Sequence, residues 1–236
     1  MRQPTTVAFV LISILATSPL GTAAQRDPVV HSLVKGESFV YSRVVTYRTV
    51  GGVEHEKSTI VLNVLQADDS SASVRQRISI DGGSESVRDI QASPDGRWSY
   101  AGHRSVAQDF ATWDANQFGA MPARVHPGAT WTVDVPRSAM FAAGRAAVKV
   151  VAVRDSRVTI EAVGDSGLLE RRVPSAGAER YVPLRVRGTW TVRVTYDHGI
   201  VQDFHRNERV YSTMNRRAAQ TDDKVEVAMR LVSHSI

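Results

Sequence analysis

The chain contains no cysteine. A disulfide framework, a thiolate metal site, a cysteine nucleophile and a lipid-anchored cysteine are thereby excluded. Lysine is almost as scarce, at four (Lys35, Lys57, Lys149 and Lys224) out of 29 basic residues. The formal charge of +5 is thus carried by arginines spread singly along the chain. Arg171-Arg172 and Arg216-Arg217 are the short exceptions, and pairs of this size make no polybasic tract, so nucleic acid is not an expected partner. Aromatics are 7% of residues, while nine Pro, 16 Gly and 42% hydrophobic residues are ordinary for a globular chain. Disorder and low complexity are therefore not expected, and the chain is long enough to bury a real core.

Residues 1–24 read as a signal peptide. Met1-Arg2 is a basic start, Val7 to Ala16 is apolar except for Ser13, and Thr22-Ala23-Ala24 supplies small residues for cleavage after Ala24. A bilayer span needs about 20 apolar residues, and this run is broken by Pro19 and Gly21. No second span follows it. The expected mature unit is one exported domain over residues 25–236, periplasmic or extracellular.

The dominant pattern has a period of two. Leu184, Val186, Gly188, Trp190, Val192, Val194 and Tyr196 alternate with Arg185, Arg187, Thr189, Thr191, Arg193 and Thr195, a long half-buried strand. Asp197-His198-Gly199 turns it and Ile200 to Thr213 returns. The same grammar repeats at the front of the domain, where Phe39, Tyr41, Val45 and Tyr47 alternate, Gly51-Gly52 turns, and Thr59 to Gln66 runs back. It closes the chain with Val225, Val227, Met229 and Leu231. Connections this short leave no room for crossover helices. The fold expected is all-β and mainly antiparallel: a long curved meander sheet or half-open barrel of about a dozen strands. One short amphipathic helix is expected from Val106 to about Gln117, with Ser105 and Gln108 as a capping box and Val106, Phe110 and Trp113 on one face.

The run MPARVHPGATWTVDVP (Met121 to Pro136), following that helix, resembles exported bacterial β-protein families of unknown function with a Pro-x-x-Val-x-x-Gly-x-x-Trp unit. Gly188-Thr189-Trp190 and Tyr196-Asp197-His198-Gly199-Ile200 are similar to the second half of such domains. The layout is also distantly similar to periplasmic lipoprotein carriers, whose half-barrels close over a helix. That resemblance implies a groove for a hydrophobic ligand.

Catalytic chemistry finds little footing. Gly164-Asp165-Ser166-Gly167 matches the string around a serine-protease nucleophile, yet none of the preceding histidines, His31, His55, His103 and His126, sits in the matching context. A turn between strands accounts for the same four residues, so no catalytic residue is assigned. Asp203 with His205, and Glu54-His55-Glu56, are the local clusters of metal-ligating type, but neither has a recognised ligand spacing. No metal and no cofactor is expected. The aromatics Trp98, Tyr100, Phe110, Trp113, Trp131, Trp190, Tyr196 and Phe204 fall on apolar faces and are either core or the lining of a ligand groove. Three functions follow in order: a carrier of a hydrophobic ligand, an interaction protein of the envelope, and last a hydrolase built on Ser166.

Overall fold

The computed structural model describes residues 31–83, 85–92, 98–100, 125–135, 144–165, 169–175, 178–214 and 220–236. These residues form strands and connecting turns with no helix among them. The helix expected over residues 106–117 lies outside the described residues. In chain order the strands are β1 (Ser38–Thr49), β2 (Gly52–Ala67), β3 (Ala72–Ile80), β4 (Glu85–Ala92), β5 (Trp98–Tyr100), β6 (Thr130–Val135), β7 (Gly144–Arg154), β8 (Arg157–Asp165), β9 (Leu169–Ser175), β10 (Ala178–Asp197), β11 (Ile200–Met214) and β12 (Gln220–Ser235). All pairings are antiparallel, in one sheet ordered β5-β4-β3-β2-β1-β12-β11-β10-β8-β7-β6 with β9 also on β10. The all-β, antiparallel, twelve-strand architecture is the one that the alternation predicts.

The path of the chain fixes what meets what. The first five strands step outward from the middle of the sheet to one edge. The chain then restarts with β6 at the opposite edge and steps back inward, so that β12 lies beside β1 along eleven paired positions. First and last strands of the domain therefore form its centre.

One face is buried almost throughout. Phe39, Tyr41 and Val45 of β1, Ile60, Leu62 and Val64 of β2, Val148 and Val150 of β7, Ile160 of β8, Val194 of β10, Phe204 of β11 and Met229 of β12 belong to one core cluster. A single sheet reaches such burial by bending over its inner face. Its edge strands β5 and β6 do not pair with each other, so it stays open and is not a closed barrel. The outer face carries the arginines, paired across strands: Arg75 with Asp89, Arg193 with Glu161, and Arg209 with Asp222. That placement accounts for the dispersal of these cations in sequence, because each occupies an outward position within reach of an acid on the next strand.

One detail differs from the sequence expectation: the long strand begins at Ala178, ahead of Leu184. β8 and β9 lie along the same edge of β10, with Asp165 paired to Thr189 and Leu169 to Val186. The Ser166-Gly167 half of the string expected as a turn lies outside the described residues. The turn at Asp197-His198-Gly199 is as expected. Asp197 pairs with Ile200, and His198 and Gly199 have φ of 50° and 78°, the double positive φ of a type I′ hairpin.

Candidate functional site

Polar side chains interrupt the apolar inner face at a few positions. Arg206 and Glu208 of β11 follow Phe204 in the inward phase, and Arg206 Nη2 donates to Glu208 Oε2 at 2.9 Å with both side chains buried. The Arg206 guanidinium also lies over the Trp190 ring, 5.4 Å from its centroid. Burial pushes the Arg206 guanidinium down and the Glu208 carboxyl up from their ordinary values, and the attraction between the two opposes both movements. Arg43 is held by Ser58 Oγ at 2.7 Å and Glu56 Oε1 at 3.0 Å. Gln76 of β3, opposite Leu62 and Arg88, has no accessible surface, and among the described residues neither its Nε2 nor its Oε1 has a hydrogen-bond partner.

A second cluster sits where the two ends of the domain meet. His31 Nε2 and His234 Nε2 each stand 2.6 Å from the same oxygen, Oε1 of Glu37. The other oxygen of Glu37 accepts from the Val34 backbone N–H at 3.0 Å, and the carboxylate is fully buried. The Phe39 ring stacks on His234, with centroids 4.8 Å apart and planes 8° from parallel, and meets His31 edge-on at 6.1 Å. Glu37's charge adds to burial in pushing the Tyr41 phenol above its ordinary range.

A backbone irregularity places His234 there. Tyr41 pairs with Leu231 but Val40 pairs with Ser233, so Val232 is an extra residue on β12. Strict alternation from Val225, Val227, Met229 and Leu231 would turn His234 outward. The bulge resets the phase and brings His234 opposite Phe39.

No family model and no curated protein matches this chain.

Of the aromatics singled out in the sequence, Trp190, Tyr196 and Phe204 are buried on the inner face, with Phe204 at no accessible surface. Trp131 is partly buried against the same cluster from the edge strand β6. Trp98 and Tyr100 lie in the opposite edge strand β5. Phe110 and Trp113 lie outside the described residues, as does Ser166. The structure thus brings Trp131, Trp190, Tyr196 and Phe204 to one face.

The local clusters expected from sequence disperse. Asp203 lies within reach of Arg230, 4.0 Å away, while His205 is exposed. His55 bonds to Thr46 Oγ1, and Glu56 serves Arg43. Among the described residues the group of three whose ligand atoms converge is His31, Glu37 and His234, all within 4.8 Å. Sequence reasoning missed it because Glu37 and His234 are 197 positions apart. The Arg206 and Glu208 pair carried a signal, since both continue the phase set by Phe204.

Proposed function

We propose that the protein is an exported, non-catalytic envelope protein that holds a hydrophobic ligand against the inner face of its curved sheet. Gln76 is the observation that carries this reading. A fully buried amide with neither atom bonded costs about 1–3 kcal/mol, and a ligand that parts the side chains closed over the amide, bonds it with its head group and lays its tail on the neighbouring apolar wall offsets that cost. Trp131 and Val133 on β6 stay partly exposed while Ala146 and Val148 beside them on β7 are closed. That edge is the route by which a tail would reach the inner face. The ligand class is an amphiphile with an aliphatic tail and a hydrogen-bonding head. Export rests on the basic, apolar and small-residue order of residues 1–24, and the open-sheet layout agrees with the resemblance to periplasmic half-barrel carriers.

A second reading, an interaction protein with no small ligand, draws on the β1–β2 hairpin. Its tip around Gly51-Gly52 exposes Tyr47, Val50 and Val53, with Val50 at 89%.

Native mass spectrometry with solvent extraction of protein purified from an envelope fraction tests the first reading. An amphiphile of constant mass is expected. Gln76→Leu is expected to release it more readily while raising the stability of the stripped protein by about 1 kcal/mol. If nothing co-purifies and a fluorescent fatty acid is not taken up, the carrier reading fails. Loss of a captured envelope partner on Val50→Asp would then favour the second.

A further inference from the structure

We propose that His31, Glu37 and His234 form a binding site for a divalent transition-metal ion of the zinc class, which fastens the segment ahead of β1 to the end of β12. This site is independent of the ligand reading above, being built from other residues.

Convergence is the first support. Both imidazoles direct the same ring nitrogen at one carboxylate oxygen, at 2.6 Å. That is shorter than the usual ~2.7–3.2 Å of an N–H···O bond. A tetrahedral zinc with bonds of about 2.0–2.2 Å sets its ligand atoms about 3.4 Å apart, so each nitrogen withdraws from Oε1 by about 1 Å while the two nitrogens, within 4.8 Å of each other, close to the same spacing.

Charge is the second. Glu37 is fully buried, and its side-chain partners among the described residues are the two imidazoles and the Val34 N–H, with no lysine or arginine. A buried carboxylate needs a positive counterpart, and a dication between three ligand atoms supplies one. The Val34 N–H fixes the oxygen that faces away from the ion, in the manner of the outer support typical of metal carboxylates.

The third is orientation. Phe39 stacks on one ring and braces the other, and the Val232 bulge exists at the one place that turns His234 inward. The histidine side chains remain about a quarter exposed, at 25% and 27%, which leaves the ion a path from solvent and room for a water ligand. Two imidazole nitrogens and one carboxylate oxygen suit zinc and its neighbours in the first transition row, whereas calcium and magnesium take oxygen ligands.

The test uses tag-free protein, stripped with chelator and dialysed against micromolar zinc, read by metal analysis and by thermal melting. One equivalent of zinc per chain and a raised Tm are expected, with no response to calcium. Glu37→Gln, His31→Gln and His234→Gln should each weaken zinc binding about tenfold or more, while His205→Gln should not. The histidine variants, whose rings are partly exposed, decide the matter if Glu37→Gln fails to fold by circular dichroism. Zinc uptake well below one equivalent, or uptake undiminished in His31→Gln and His234→Gln, overturns the proposal.

Discussion

The indole of Trp190 lies directly over Gly164, its cross-strand partner on β8. A Cβ at Gly164 would stand 2.6 Å from Cε2 and 2.9 Å from Cη2 of the ring, closer than real contacts allow. Glycine is needed here for space, because its φ is not in the left-handed region. Ala146 follows in the same cross-strand row on β7, so the ring occupies a step made by two small residues.

Gly164→Ala should therefore destabilise the protein by about 2–3 kcal/mol through overpacking. In a Trp190→Leu background the same change should cost less than about 1 kcal/mol, since the obstructing ring is gone. Urea unfolding of the four proteins in the cycle measures this. An equal cost in both backgrounds would show that the indole is not what Gly164 accommodates.

The buried pair Arg206 and Glu208 leads to a different expectation. Removing one partner takes from the other the opposite charge it is paired with inside the protein, and Glu208→Ala or Arg206→Ala should cost about 3–5 kcal/mol. Replacing both together with Met and Leu should cost far less, because apolar groups of similar volume suit the surrounding face. Chemical denaturation of the singles and the double decides. A double variant as unstable as the sum of the singles would mean that the pair's hydrogen bonding is itself what holds β11.

Asp197 ties two hairpin tips. Its oxygens accept from Ser156 Oγ at 2.6 Å and Arg157 Nε at 3.1 Å, and these bonds hold its carboxyl below the usual carboxylate range. A carboxyl lowered by folding contributes stability that is fully present above the unfolded value of about 3.9 and lost as pH falls through the folded one. Asp197→Asn should cost on the order of 0.5–1 kcal/mol at neutral pH. Wild type and variant should converge as the pH falls below the unfolded value and through the lowered folded one. A gap that persists into strong acid would assign the loss to packing.

The sequence discloses the sheet far better than the clusters on it. Alternation from Leu184 to Tyr196, and the Asp197-His198-Gly199 turn, are local features that the backbone enforces wherever one face is buried. Bulges are different. Leu65, Val151, Gln202 and Val232 are each an extra residue in a ladder, and nothing in their side chains marks them. Each shifts the phase of everything after it. An alternating pattern extended through Leu231 therefore puts Ser233 inward and His234 outward, opposite to the arrangement found. The meeting of β1 with β12 is equally silent in the sequence, and without it Glu37 and His234 have no reason to be considered together.

The inward phase of His234 should respond to chain length alone. Deleting Val232 removes the extra residue and leaves the order Leu231 in, Ser233 out, His234 in, so His234 should still stack on Phe39. Inserting one alanine between Ser233 and His234 instead adds a position, and His234 should face outward. The stacked geometry shields the imidazole protons, so their resonances should lie upfield in the wild type and in the deletion variant, and return to ordinary positions in the insertion variant. Zinc uptake should follow the same division, kept in the deletion and lost in the insertion. If the insertion variant retained the upfield resonances, the end of β12 would be re-registering freely, and the Val232 bulge would not be what aims His234 at Glu37.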